Sequence, residues 1–257
     1  MKTQLAPRLG SSVKPGTIWR LGEHRLAFGD CRDETLLRRL MGSVRIDLIC
    51  ADVPYGIAAV ESKRDFQALS KDKVIQNDQL QSDEEYARFS KEWLDAIKPF
   101  LAKKNAAYIF NADKMIWPLH TGIINAGFKF AQLLIWVKSQ AVIGRLDYAP
   151  QHELIFYGWY GTHQFHRSKD KSVLFHPRPT RSKLHPTTKP IGLIRRLILN
   201  STDMGSAVYD GFLGSGTTLL ACEQTKRRCF AIEIDEEYCL TAIRRWEALT
   251  GLKAKVV

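Results

Sequence analysis

Two stretches of the chain bring together residue types that could do chemistry. Asp52-Val53-Pro54-Tyr55 sets a carboxylate and an aromatic ring on a proline-stiffened turn, directly after the apolar run Ile46–Cys50. A fixed carboxylate there is an acceptor for N–H groups, and the ring is a platform for a flat heterocycle. The second stretch opens with the apolar run Ala207–Tyr209, which reads as a buried strand ending at Asp210. Gly211, Phe212, Leu213, Gly214, Ser215 and Gly216 follow, and Thr217 begins a helical pattern through Thr225. A further strand, Cys229–Ile232, ends at Glu233.

Strand, glycine loop, helix, strand and acid form the layout of a nucleoside-binding unit. The glycines let backbone approach a ligand, and Glu233 lies where it could bond two ribose hydroxyls. Gly214-Ser-Gly216-Thr-Thr-Leu219 lacks the third glycine of a dinucleotide fingerprint, and no Gly-Lys-Ser/Thr phosphate loop is present. The loop therefore fits a nucleoside without a pyrophosphate, with S-adenosylmethionine as the leading candidate. On the loop alone, an ordinary strand–helix turn without a ligand explains the residues equally well.

The bulk properties narrow the class. The 257 residues suffice for one α/β domain, and the net charge of +11 favours a polyanionic partner. Five cysteines without a Cys-x-x-Cys pair read as reduced filler, so neither a disulfide framework nor a metal site is expected. The N-terminus lacks a signal-type apolar core and no window approaches a membrane span, so a cytoplasmic protein is expected.

The elements that must position these residues follow from periodicity. Thr17–Arg20 and His24–Phe28 read as a hairpin, followed by Gly29, Asp30 and Cys31, and Asp33 caps a helix over Glu34–Met41. Residues 57–82 read as a long loop over the site. Ser82 or Asp83 starts a helix to Lys98, with Tyr86, Phe89, Trp93, Leu94 and Ile97 on one face. Strands are expected at Ala106–Phe110 and Phe128–Val137, with a helix between them over Met115–Ala126 despite Pro118. Gln151–Trp159 reads as another strand, in which alternation buries either His152 or Glu153. Residues 160–184 are strongly basic, with interleaved Tyr160, Phe165 and Phe175, and read as an irregular excursion. Pro190 suits the first turn of a helix to Asn200, and Glu236–Leu249 closes the pattern, with Asp235 as its cap.

Asp52-x-Pro54-Tyr55 at a strand end, with Asp210-Gly-Phe-Leu-Gly-Ser-Gly-Thr217 later in the chain, resembles the amino-group DNA methyltransferases that modify adenine N6 or cytosine N4. The order, catalytic motif first and cofactor motif second, is similar to the family's β class. Gln151-His152-Glu153 through Tyr157-Gly158-Trp159 resembles prophage-type members, and His185-Pro-Thr187-Thr-Lys189-Pro190 resembles a motif bordering the methionine end of the cofactor. The resemblance runs from Thr17 to Lys253. It implies a three-layer α/β/α sandwich with a Rossmann-like sheet in permuted order, mostly parallel with one antiparallel strand. A single domain over residues 1–257 is expected, with a target-recognition insertion at about 158–184.

The resemblance also implies roles. Asp52 and the Val53 carbonyl would accept the two N–H groups of the target amine, Pro54 would stiffen the turn, and Tyr55 would stack on the flipped base. Asp30, Cys31, His185, Thr187, Lys189, Asp210, Phe212, Gly214, Ser215, Gly216, Thr217 and Glu233 would surround S-adenosylmethionine. Arg167, Lys169, Lys171, Arg178, Arg181 and Lys183 would meet double-stranded DNA, and a small recognition region implies a homodimer. Two departures stand out: Gly211 replaces the usual proline of the cofactor loop, and Val53 replaces the first proline of Asp-Pro-Pro-Tyr. Val53 keeps the carbonyl but loses a fixed φ, which leaves a slowed enzyme or a silent DNA-binding homologue open. Adenine N6 is the expected target, with cytosine N4 as the alternative; RNA and a nicotinamide oxidoreductase rank lower.

Overall fold

In the computed structural model, which describes residues 13–55, 81–141, 147–166, 170–177 and 189–257, the apolar run before Asp52 forms strand β3 (Ile46–Asp52). Its Leu48 and Cys50 enter one hydrophobic layer, while Ile49 and Ala51 enter the other. A strand buried on both faces belongs in the middle of a helix-covered sheet. Its neighbours are β9 (Ala207–Asp210) and β4 (Leu101–Asn111), both parallel to it. Beyond β9 lie β10 (Arg228–Glu233), β2 (His24–Phe28), β1 (Ile18–Leu21) and β11 (Lys255–Val256). Beyond β4 lie β6 (His152–Trp159), β5 (Lys129–Val137) and β8 (Val173–Phe175), and β7 (Thr162–His163) pairs with β4 off this path. Between β2 and β5 the strands are parallel except β6, which runs against β4 and β5; the outer hairpin arm β1 also runs against β2.

The helices cover both faces. Helices α1 (Glu34–Met41), α2 (Asp83–Ile97) and α3 (Ile116–Asn125) put Leu37, Trp93 and Leu119 into one layer. Helices α4 (Ile191–Ser201), α5 (Thr217–Thr225) and α6 (Glu236–Thr250) put Leu197, Leu219 and Trp246 into the other. This is the α/β sandwich that the motif order implies. Local signals set the helix starts. Asp33 accepts from Thr35 and Leu36 backbone N–H groups, Ser82 and Glu85 form a reciprocal capping box, and Asp235 accepts from Glu237 and Tyr238. Pro118 lies in the first turn of α3, where its missing N–H has no intrahelical partner to lose.

Three regions differ from expectation. Strand β4 begins at Leu101 rather than Ala106, because its Lys104 and Asn105 pair with Thr162 and His163. The basic stretch after Trp159 is not wholly irregular. Its β8 extends the sheet beside β5, Leu174 is buried, and the Trp136 indole N–H donates to the His176 carbonyl at 2.9 Å. The C-terminal β11 pairs with β1 through Trp19 and Val256, a contact without a local sequence signal. Most of the expected loop over the site, residues 56–80, lies outside the described residues. Among the described residues no helix is long and apolar enough to cross a membrane.

Candidate active site

Four adjacent parallel strands, β2, β10, β9 and β3, finish on one rim of the sheet. Asp30, two residues past β2, joins Glu233, Asp210 and Asp52 there, at or just past the strand ends. The helix following β9 packs on one face, and the helix following β3 packs on the other. Crossovers that diverge from neighbouring strands open a crevice at their carboxyl ends, the general ligand position in such sheets.

The glycine loop shapes one side of that crevice. Gly214 has φ 53°, and a Cβ there would meet only the Phe212 carbonyl at 4.0 Å, so its face is open space. Gly216 has φ 91°, and a Cβ there would stand 2.8 Å from the Ala242 Cβ, which lets α5 lie close against α6. The Gly214 N–H donates to Glu233 Oε2 at 2.6 Å, and the Asp235 N–H donates to Oε1 at 2.9 Å. Burial outweighs these bonds and pushes the Glu233 carboxyl up to about 7. Burial likewise raises Asp210 to about 7, although the Thr218 side chain and the Phe212 N–H bond it. Phe212 is half-buried, with its ring 5.4 Å from Trp93 and 6.0 Å from Phe89. A half-buried ring, an open glycine face and a buried acid accepting N–H groups fit a nucleoside with ribose hydroxyls to donate.

Across from this loop lies a polar cluster around Asp52, whose side chain keeps 29% exposure. Lys189 Nζ bonds Asp52 Oδ2 at 2.6 Å and Glu153 Oε2 at 3.0 Å. Lys138 Nζ pairs with Glu153 Oε1 at 2.9 Å. The Tyr55 hydroxyl lies 2.9 Å from Glu153 Oε2 and 3.2 Å from Asp52 Oδ1, and accepts from Lys189 at 3.2 Å. Burial raises the Asp52 carboxyl, Lys189 opposes the rise, and the Glu153 charge adds to it. Burial also disfavours the Glu153 charge, but Lys189 and Lys138 overcome it and hold that carboxyl at about 2. Burial would discharge Lys189, yet Asp52 and Glu153 keep it cationic. The turn itself is held from α2: the Tyr86 hydroxyl donates to the Pro54 carbonyl at 2.7 Å and accepts from the Asn111 amide at 2.8 Å. Val53 is 2% exposed and packs in the core.

The expected residues divide accordingly. Asp52, Tyr55 and Lys189 meet in one cluster, with Lys189 directly on the Asp52 carboxylate. Asp210, Phe212, Gly214 and Glu233 gather at the other side. Ser215 is buried and its hydroxyl accepts from Arg245 at 3.0 Å, while Thr217 is buried at the start of α5. Asp30 is gripped by Arg32, with Nη2 2.7 Å from Oδ2, and Cys31 is buried. Lys171 is exposed. His185, Thr187, Arg167, Lys169, Arg178, Arg181 and Lys183 lie outside the described residues. The motifs did not give Lys138, Tyr86 and Asn111, and they left Glu153 undecided against His152. Strand alternation decides that pair: Glu153 points into the cluster and His152 is exposed.

The family model of N6/N4 methyltransferases, described as DNA methylase, matches residues 46–244. The Type II methyltransferase M.HpaI of Haemophilus parainfluenzae is 28% identical over 228 residues, covering 79% of this chain and 68% of that protein. The Type II methyltransferase M2.DpnII of Streptococcus pneumoniae is 26% identical over 226 residues, covering 79% of this chain and 83% of its own. Among solved structures, the M1.HpyAVI–SAM complex superposes with a TM-score of 0.63 at 22% identity, covering 86% of this chain and 98% of that one. The PvuII DNA methyltransferase, named as cytosine-N4-specific, gives 0.64 at 15% identity, covering 84% of each chain. At those identities the structures speak to the fold, and the match across most of the sequence speaks to descent: the chain belongs to the DNA methylase family of N6/N4 methyltransferases.

Proposed function

We propose that this chain methylates the exocyclic N6 of adenine in duplex DNA, after the base is flipped from the stack, using S-adenosylmethionine as donor. One observation carries the reading: Asp52 ends β3 immediately beside β9, whose glycine loop and neighbouring Glu233 form the nucleoside side of the same crevice. When bound, the cofactor supplies an electrophilic methyl on a sulfonium. Glu233 would take its ribose hydroxyls, and Phe212 and the open face of Gly214 would border the adenosine.

The rest of the chemistry belongs to this chain's residues. An exocyclic amine conjugated to a ring is a poor nucleophile. Asp52 accepting one N–H and the Val53 carbonyl accepting the other would draw the nitrogen toward tetrahedral geometry. The same acceptors stabilise the positive charge that develops there. Tyr55 would stack on the base, and the Tyr86 bond to Pro54 would hold the turn that presents them. Residues 158–184 would read DNA, with exposed Lys171 and Phe175 among them. Such a small recognition stretch leads us to a homodimer as the acting form.

The test is transfer of labelled methyl from S-adenosylmethionine to mixed-sequence duplex DNA, followed by nucleoside analysis, with Asp52→Ala as control. Label in N6-methyladenine that the variant loses is the expected outcome. Label in N4-methylcytosine would replace the base assignment. Cofactor binding without any transfer would replace the reading with a silent DNA-binding homologue impaired at Val53.

A further inference from the structure

We propose that Lys189 is a positioning residue for the methyl-accepting amine: by holding Asp52 Oδ2 it leaves Oδ1 as the oxygen that receives the amine N–H. The inference rests on the reading above that Asp52 receives the amine. Lys189 lies 6% exposed between two carboxylates from different strands, Asp52 ending β3 and Glu153 in β6. Its bond to Oδ2 is short, at 2.6 Å. Among the described residues the Oδ1 atom faces only the Tyr55 hydroxyl, at 3.2 Å, and that hydroxyl has a single proton to give. Glu153 Oε2 is nearer to it, at 2.9 Å, so the Tyr55 hydroxyl donates to Glu153 and Oδ1 is the less committed oxygen.

Charge leads to the same role. Lys189 and Lys138 set two cations against the Asp52 and Glu153 carboxyls. Asp210 on β9 and the Cys50 thiol on β3 also lie in the field of Asp52, and the Phe110 ring of β4 lies 5.4 Å from Lys189 Nζ. Without the Lys189 cation, Lys138 would still pair with Glu153, but burial and the Glu153 charge would drive the Asp52 carboxyl further up, toward its protonated form. A protonated carboxyl is a poor acceptor for an amine N–H. Lys189 thus favours the ionised form of the acceptor and aims it.

The test compares Lys189→Met, Glu153→Gln and the double variant by two readouts: the pH dependence of methyl transfer, and carbon-13 NMR titration of the Asp52 carboxyl. Activity needs ionised Asp52, so its acid limb follows the Asp52 titration. Lys189→Met should move both up by about one to three pH units. Glu153→Gln, which removes a like charge, should move both down. The double variant should return toward the wild-type position, which a merely structural lysine would not produce. Affinity for S-adenosylmethionine, measured by calorimetry, should stay within about twofold in all three.

An Asp52 titration unmoved by Lys189→Met, or a cofactor affinity lost with the acid limb in place, overturns the proposal. If Lys189→Met does not fold, the direction of the Glu153→Gln shift decides. If the wild-type protein methylates no DNA, the proposed function fails, while the NMR titration still reads the Lys189–Asp52 coupling.

Discussion

Asp52 and Glu233 are both acids at strand ends, yet their surroundings prepare them differently. Asp52 has a buried cation against it, whereas among the described residues Glu233 accepts from backbone N–H groups, and burial lifts it to about 7. For Glu233 the sign is clear. Its folded carboxyl is raised, so its contribution to stability is present at acid pH and is lost as pH rises through 7. Ribose hydroxyls donate to the ionised form, so cofactor binding should favour that form and release a proton. S-adenosylmethionine affinity is therefore expected to rise between about pH 6 and 8. Calorimetry in buffers of different ionisation enthalpy should register the released proton below pH 7. An affinity flat across that range would detach Glu233 from the ribose.

At the scale of elements, the glycine loop shows why a glycine stands where the family usually has proline. A Cβ on Gly211 would lie 2.9 Å from the Tyr209 hydroxyl and 3.1 Å from the Cys31 Cβ. Tyr209 is fully buried in β9, and its hydroxyl has no hydrogen-bond partner among the described residues. The large side chain on the strand and the bare residue on the loop are therefore complementary, and the loop is closely packed despite lacking proline. Gly211→Ala should destabilise the protein by about 1–3 kcal/mol through overpacking. The same change should cost clearly less in a Tyr209→Phe background, where the clashing oxygen is gone. A double-mutant cycle in urea measures the difference, and strict additivity would show that the two residues do not share the space.

For the whole molecule, the net charge of +11 and a basic stretch after β6 suit a polyanion. The part of that stretch within the described residues is small and partly tied into the sheet by β8. Sedimentation of the full chain is expected to give twice the chain mass without DNA, and two chains per duplex with it. A strict monomer under both conditions would remove the homodimer and require one copy to hold the duplex alone.

Much of this architecture is legible without tertiary information. The helices near Glu34, Asp83 and Glu236 follow from caps and apolar spacing, both local properties of the chain. Asp52 and Glu233 follow from strand ends next to turn residues, and Gly214 and Gly216 from a loop that needs positive φ. The ion-paired cluster is different. Lys189 meets Asp52 across a separation of 137 residues, and Glu153 arrives on β6 and Lys138 just past the end of β5, from another part of the chain. No local pattern encodes which of several nearby cations a buried carboxylate will meet, because long-range electrostatics and sheet order choose it together. The same holds for β8 and β11, short edge strands that exist only because a partner offers unpaired backbone. The sequence by itself determined the elements and the acids they end on. That Lys189 pairs with the Asp52 carboxylate emerges only in the tertiary structure, because sheet order and burial bring the two together.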